Sequence, residues 1–499
     1  MYYIMNRISW KYIHCILLFT MLGQYSVLGQ LFSKKLSLQE AITLAKSASI
    51  DALIAKNRYR SAYWQHRNFL ADKRPNISLK GTLPSFNRSL SSYQKEDGSY
   101  KYVSSNSISE QISLSIEQAI PFTGGKLVTQ SSLERWDQLG KNSSTNYMSI
   151  PFSISLLQPL FSINEYKWKN IIEPEKFEGA KQEYLVNLEK IAIQAIAYYF
   201  DLLLAYVNIN IAKQNLENSS KLLDIALNKK RMGLISDNDL LQLKYNKLTS
   251  SSDLIRVEQD YEQKMFNLQN YLGFNDQVII EPQMTDLCPT ISVTFKEIMD
   301  LAKKNNPFFK NINCTQLEAL EQTARTKASR RINADLYVSI GYTGSNPEFT
   351  DAYKRLQNRQ AISMNLNIPL LDWGKGKGKL KMAQANEEIV LNQVKLEVIN
   401  FEQSVLMLIK QNNEQKQLNE VIRLADSISQ QRYKTVYEMF IRGQISVLDL
   451  NSAQLERDNA RRNYLNQVYS SWINYYKFRQ LTLYDFMNHK EIPEEPIIF

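Results

Sequence analysis

An internal repeat that holds its register over a long distance constrains this 499-residue chain more than any other feature. SISLLQPLF, residues 153–161, aligns with SMNLNIPLL, residues 363–371, so that Ser153 meets Ser363, Leu156 meets Leu366 and Pro159 meets Pro369, an offset of 369 − 159 = 210. MGLISDNDLLQL, 232–243, aligns with RGQISVLDLNSA, 442–453, pairing Gly233 with Gly443, Ile235 with Ile445, Ser236 with Ser446 and Asp239 with Asp449, again at 210. Two anchors 74 residues apart (233 − 159) share one offset without insertion or deletion. The segment between them therefore reads as one rigid element whose length matters.

That element is a helix. Glu165 to Arg231 holds one glycine, Gly179, and one proline, Pro174, near its start; Lys379 to Arg442 holds neither. At ~1.5 Å per residue, roughly 66 residues make a rod about 100 Å long. Lys229, Lys230 and Arg231 suit a helix C-terminus, Gly233 a left-handed cap, and Ser236-x-x-Asp239 a capping box that opens a return helix over 237–272. Gly443 and Ser446-x-x-Asp449 repeat the device ahead of a return helix over 447–487. Further upstream, LQEAITLAK (38–46) aligns with FKEIMDLAK (295–303) at an offset of 257, and RPNISLKG with NADLYVSIG near 259. The larger offset means that the first repeat carries about 49 extra residues between its strands, as 259 − 210 requires. SEQISLSIEQAI and KLVTQSSLERW, joined by IPFTGG, read as an added hairpin within 85–149.

Four segments alternate with period two: Ile77, Leu79, Leu83; Phe152, Ile154, Leu156; Leu336, Val338, Ile340; and Ile362, Met364, Leu366, Ile368. Each is about 9 to 11 residues, enough for a tilted strand to cross a bilayer. Four strands cannot close a barrel, and an open edge is not tolerated in lipid. Either they form a soluble sheet, or several chains contribute to one barrel. The apolar stretch 191–212 is nearly long enough to span a membrane, but Asn187, Gln194, Asp201, Asn208 and Asn215 recur every seven residues along it. Such a period implies helices wound in a left-handed sense. The stripe is then either the solvated face of a coiled coil or the inner wall of a water-filled helical tube.

Residues 1–29 read as a secretory signal peptide: Arg7 and Lys11, an apolar run from Ile13 to Leu22, then Val27-x-Gly29. Cys15 lies at the start of that run, the wrong end for a lipoprotein anchor. Cys288 and Cys314 remain, with Cys314 inside a helical pattern, and a disulfide framework is not expected. Only His66 and His489 follow the leader, and neither sits in a metal-ligand or nucleophile–base spacing, so no enzyme, metal or cofactor is expected. The net charge of +10 is interleaved with acids along helices, and with an export signal it excludes nucleic acid as a partner. IPLLDWGKGKGKL (368–380) is no phosphate loop, because neither Lys375, Lys377 nor Lys379 is followed by Ser or Thr. It reads as a glycine-loosened basic junction ahead of a helix.

QPLFSINEYKWK, IPLLDWGKGKGKL with the following AQAN, and the paired GLISDNDLLQ and GQISVLDLNSAQ resemble the TolC-type outer-membrane efflux proteins over nearly the whole mature chain. The resemblance implies an α+β membrane protein: a long antiparallel coiled-coil tunnel, plus a β-barrel assembled from strands of three protomers, with at least four strands per chain. It implies a homotrimer in the outer membrane of a Gram-negative bacterium, its tunnel in the periplasm. A periplasmic adaptor and an inner-membrane transporter are the implied partners. By position, the adaptor-contacting tips are Arg231, Met232, Gly233, Leu234, Ile235 and Ser236, and Arg442, Gly443, Gln444, Ile445 and Ser446. Asp449 matches a family position where inward acids close the tunnel, and Asp239 is its repeat counterpart; helix capping explains both equally well. The family's next acid is replaced by Ser452, and its gate tyrosine and arginine by Phe440 and Ile445, so that locking network does not carry over.

The expected organisation is signal peptide 1–29, helices of repeat one 30–73, strands and extra hairpin 74–163, and tunnel helix, tip and return helix 164–274. Repeat two follows with linker and helices 275–333, strands 334–373, tunnel helix, tip and return helix 374–487, and a tail 488–499. The expected function is a passive exit duct for tripartite efflux or type I secretion. A secreted or periplasmic coiled-coil scaffold with a soluble sheet is the alternative, and the two differ on whether the strands face lipid.

Overall fold

The structure, a computed structural model, describes residues 32–140, 143–233, 235–274 and 278–493. The segment expected to be a leader, Leu234 at the first tip and residues 494–499 of the tail lie outside them. Short helices α1 (Leu38–Ala48) and α2 (Ile50–Ala71) of the first repeat correspond to α5 (Phe295–Asn305) and α6 (Pro307–Ser329) of the second, their starts offset by 295 − 38 = 257. Both pairs start from the same device, a complete capping box of Ser37 with Glu40 and of Thr294 with Glu297. The long helices α3 (Glu165–Arg231) and α7 (Lys375–Ile441) have 67 residues each, and their return helices α4 (Asp237–Leu272) and α8 (Val447–Thr482) have 36 each. Every one of these boundaries is displaced by 210, as 375 − 165 and 482 − 272 illustrate.

Two boundaries differ from those read off the sequence. The second return helix stops at Thr482, short of 487, because Leu483 turns left-handed at φ 49°. The second long helix begins at Lys375, so GKGKGK forms its opening turns and is no loosened junction. Gly374 enters it at φ 84°, and the Asp372 carboxylate accepts from the amides of Gly374 (3.0 Å) and Gly376 (2.7 Å). A Cβ at Gly376 would lie 2.7 Å from Asp372 Oδ2 and 2.8 Å from Arg330 Cγ, so this glycine makes room for the cap. These amide bonds, Gly376 first, hold the Asp372 carboxyl below its usual range and put a negative charge on the positive helix end.

One six-stranded antiparallel sheet carries the rest, where the sequence predicted at least four strands of about 9 to 11 residues and an unplaced hairpin; three of the four foreseen strands run longer, to 19, 16 and 14 residues, and the fourth has 11, because the sheet extends beyond the apolar alternation. Its strands are β2 (Asn76–Gln94), β3 (Tyr100–Ile120), β4 (Gly125–Leu139), β5 (Ser144–Pro159), β7 (Asn333–Asn346) and β8 (Gln357–Asn367), in that spatial order. The added hairpin is β3–β4, inserted between the two strands of the first repeat. A small parallel pair, β1 (Phe32–Leu36) with β6 (Val278–Pro282), was not foreseen; β9 (Tyr484–Asp485) and β10 (Lys490–Glu491) pair after α8.

The main core lies half-way along the rod, where α1, β1, β6 and α8 converge on α3. Ile191, Ala195, Ile196, Tyr199, Leu202 and Leu203 are buried there, and the Tyr199 hydroxyl donates to the carbonyls of Leu36 (3.0 Å) and Gln283 (2.7 Å). This convergence explains why 191–212 has membrane-like hydropathy: α3 is long and apolar enough to cross a bilayer, but just over half of its most apolar window is buried inside the protein.

Candidate functional site: the sheet faces, the rod and its tips

Residues directly opposite each other in a sheet share a face, and the ladder sorts this one into two faces of opposite character. Ile77 stands opposite Ile116, Leu79 opposite Leu114, Leu127 opposite Leu156, Leu156 opposite Val338, and Val338 opposite Ile362. On the other face Ser78 meets Ser115, Ser113 meets Ser132, Gln130 meets Ser153, and Ser155 meets Ser339. The exposure is the reverse of a water-soluble sheet. Ile77, Leu79, Ile340 and Ile362 are 59–79% exposed, while Ser115, Ser132, Ser153 and Ser339 are buried. The serines satisfy one another, Ser78 Oγ to Ser115 Oγ at 2.9 Å and Ser155 Oγ to Ser339 Oγ at 3.0 Å. Both outer strands, β2 and β8, keep one unpaired edge, a row of amides and carbonyls that lipid cannot satisfy.

Large apolar side chains also stand exposed where strand gives way to helix. Phe161 (56%), Leu370 and Trp373 (90%) flank the starts of α3 and α7, and Phe122 (93%) tips the β3–β4 turn. Asn164 holds that turn in place: it caps α3 through the amide of Lys167 (3.2 Å) and donates to the carbonyls of Pro121 (2.9 Å) and Phe122 (3.0 Å).

At the far end of the rod the two tips pack on each other. Leu222, Ala226, Leu243, Tyr433, Phe440, Val447 and Leu450 form a buried cluster, with Ile235 and Ile445 against it. Gly233 and Gly443 are left-handed, at φ 71° and 77°. Lys229 crosses from one tip to the other and donates to the Ile441 carbonyl at 3.2 Å. Arg231, Met232, Gly233, Ser236, Arg442, Gly443, Gln444 and Ser446 are exposed, whereas Ile235 and Ile445 are half-buried against the cluster. Asp449 completes a full capping box with Ser446, accepting from its amide at 3.2 Å and its hydroxyl at 2.7 Å. These bonds, the hydroxyl first, hold its carboxyl below the usual range. Asp239 accepts from the Ser236 hydroxyl at 2.6 Å. The Asp449 carboxylate thus caps its helix, whereas the box expected at Ser236 and Asp239 is incomplete: Ser236 caps α4 by accepting from the Asp239 amide at 3.1 Å, and the Asp239 carboxylate bonds no backbone amide among the described residues.

The seven-residue stripe divides. Gln194 and Asp201 are exposed, with Lys264 of α4 donating to Asp201 at 3.2 Å, and Asn187 is half-buried. Asn208 and Asn215 turn toward α8: Asn215 donates to Asp458 at 2.8 Å and accepts from Arg457 at 2.8 Å. These last two line a polar groove between α3, α4 and α8 of about 710 Å³.

The sequence reading missed one charged cluster. Glu189, 1% exposed, accepts from Lys46 (2.6 Å) and from Arg479 Nε (3.0 Å), joining α1, α3 and α8. Arg479 also meets Asp485 at 2.7 Å, and Tyr475 donates to the same carboxylate at 2.6 Å. Burial pushes the Asp485 carboxyl up, but bonds from Tyr475 and Asn488 and the Arg479 charge outweigh it and bring it to about 2. The signal was a lone carboxylate among the apolar residues of α3. His66 stacks on Phe177 at 4.5 Å, and Cys288 and Cys314 are buried free thiols. Among the described residues no group of three or more His, Cys, Asp or Glu side chains is placed to hold a metal ion.

Solved structures with the same arrangement exist. The outer-membrane protein VceC of Vibrio cholerae superposes with a TM-score of 0.63 over 90% of this chain and 95% of its own, at 14% identity. The chain has the fold of an outer-membrane channel protomer. The Campylobacter jejuni CmeC outer-membrane channel matches 92% of this chain and 87% of its own, with TM-score 0.62 and 14% identity. The outer-membrane channel OprN matches 89% of each, with TM-score 0.63 and 12% identity. No protein-family model and no curated protein sequence matches the chain. The channel fold is therefore preserved while most side chains differ, and the inserted hairpin, the tips and the charged cluster must be argued from this chain's own residues.

Proposed function

We propose that the protein is one subunit of a homotrimeric exit duct in the outer membrane of a Gram-negative bacterium. It conducts passively, and its helical tunnel projects into the periplasm. The observation that carries this reading is the inverted sheet, with its apolar face exposed and its serine face sheltered. Lipid satisfies such a face; water does not. Pairing the free edges of β2 and β8 between copies satisfies the remaining backbone groups. Energy comes from an inner-membrane transporter, reached through a periplasmic adaptor that meets the exposed tips around Gly233 and Gly443. Asp239 and Asp449 then stand beside the tunnel's closing end, where repeated carboxylates around three-fold symmetry repel anions. Tripartite efflux and type I secretion both fit this architecture.

The mass of the membrane-extracted protein, corrected for bound detergent, tests the reading. A stable trimer is expected. A monomer or dimer soluble without detergent would instead establish a coiled-coil scaffold with a soluble sheet.

A further inference from the structure

The two repeats by themselves supply four strands, β2 with β5 and β7 with β8, and the β3–β4 hairpin is extra. An insertion in an exported protein is most simply a flap that covers or decorates a surface. The structure places this one differently. It lies in the middle of the sheet, fully paired to β2 on one side and to β5 on the other, so it cannot swing out without breaking both ladders. Its side chains follow the two-faced pattern of the flanking strands: Ile112, Leu114 and Ile116 of β3 and Leu127 of β4 are exposed on the apolar face, and Leu133 of β4 lies half-buried on the same face. Ser109, Gln111, Ser113 and Ser115, with Gln130, Ser132 and Glu134, lie on the opposite one. The run from Ile112 to Ile120 has the nine residues of a tilted membrane-crossing strand. Above it the apolar face turns charged, with Glu110 opposite Arg135. Below it the turn is locked to Asn164 at the start of α3, and Gln118 donates to the Lys73 carbonyl at 2.9 Å.

The helices beneath give a second measure. α2, α3, α6 and α7 lie side by side under the sheet. His66 stacks on Phe177, Lys310 pairs with Glu175 at 2.9 Å, and Thr323 donates to the Ala383 carbonyl at 3.3 Å. Four helices at ~9 Å spacing span about 36 Å. Six strands ~4.8 Å apart and tilted by ~40° span about 38 Å, whereas four span about 25 Å. The six-stranded sheet matches the width of its own helical support.

We propose that the β3–β4 hairpin is part of the lipid-facing barrel wall, so that three copies close an eighteen-stranded barrel, with Ile112, Leu114, Ile116, Leu127 and Leu133 against acyl chains. The proposal rests on the trimeric-duct reading above for the number of copies. Barrel diameter grows nearly linearly with strand number, so the outer-membrane opening is about half again as wide as four strands per chain would make it. The serines and glutamines of the hairpin, with Glu117 and Glu134, then line the lumen, where they present hydroxyl, amide and carboxylate groups to cargo.

The test uses the full-length protein with single cysteines on the hairpin (Leu114→Cys, Leu133→Cys), on a repeat strand (Ile340→Cys) and on the opposite face (Ser113→Cys). Each carries a bimane label in vesicles of phosphatidylcholine with brominated acyl chains; the native Cys288 and Cys314 are buried. Strong quenching at 114, 133 and 340, with little at 113, is expected. Quenching at 340 without quenching at 114 and 133 would overturn the hairpin's place in the wall and leave the duct reading standing. No quenching at any position would overturn both. A strand count in electron cryomicroscopy sections of the unmodified oligomer needs no variant: eighteen supports the proposal and twelve refutes it.

Discussion

Asp449 carries two readings that a single substitution separates. Its carboxylate completes the capping box with Ser446. Losing that box through Ser446→Ala should therefore cost about 1 kcal/mol while leaving the carboxylate in place. Asp449→Ala removes cap and charge together. If the charge lines the closing end of the duct, conductance and cation block in planar bilayers change in Asp449→Ala and not in Ser446→Ala; equal effects on thermal midpoint with unchanged conductance would reduce Asp449 to a cap. The Glu189 cluster is a different case, because its charges are buried. Glu189→Gln removes the buried carboxylate that Lys46 and Arg479 share, while Arg479 keeps Asp485, and should destabilise by about 3–5 kcal/mol, read as a shift in the denaturant midpoint. Asp485 adds a pH signature. Its carboxyl falls from an ordinary 3.8 to about 2 in the folded protein, so its contribution is fully present above pH 4 and is lost as pH falls toward 2. Asp485→Asn should flatten that acid limb.

At the scale of the element, matched length is the controlling quantity. α3 and α7 have the same number of residues, and the tips they deliver interlock through Leu222, Ala226, Tyr433 and Phe440. Seven residues inserted into α3 alone keep the heptad phase but move its tip by about 10 Å. The tip cluster should then come apart, opening the loop at Gly233 to protease. The same insertion in α3, α4, α7 and α8 together should restore resistance and give a longer rod. The start of α7 depends on one side chain in the same way: Asp372 holds two amides ahead of three exposed lysines that oppose the helix dipole. Asp372→Ala should fray this end, seen as faster amide exchange at Gly374 and Gly376.

For the whole molecule, the sheet sets the requirement. An exposed apolar face and two open edges make the single chain an incomplete object, and the rod shares that character, with Leu396, Val421 and Ile428 of α7 and Leu241, Leu248 and Ile255 of α4 more than half exposed. Ile340→Arg places a charge on the apolar face of β7 and should cost about 2–4 kcal/mol at the bilayer midplane. The measured result should be loss of the oligomer from the membrane fraction. Arg359, already on the opposite face of β8, shows that a charge is accommodated there.

The repeat offset of 210, the capping residues and the glycine at each tip were enough to define the long helices, because a rod's length and ends are written locally in periodicity and caps. The α3–α4 pair matched the expected ends, and the polar alternation of β3 and β4 was visible as a hairpin. Tertiary structure decided where that hairpin pairs, since a period-two pattern specifies faces and leaves neighbours open. It also decided why 191–212 is apolar: α1, β1, β6 and α8 meet there from distant parts of the chain. Glu189 finds Lys46 and Arg479 across 143 and 290 residues, separations at which only the fold brings charges together.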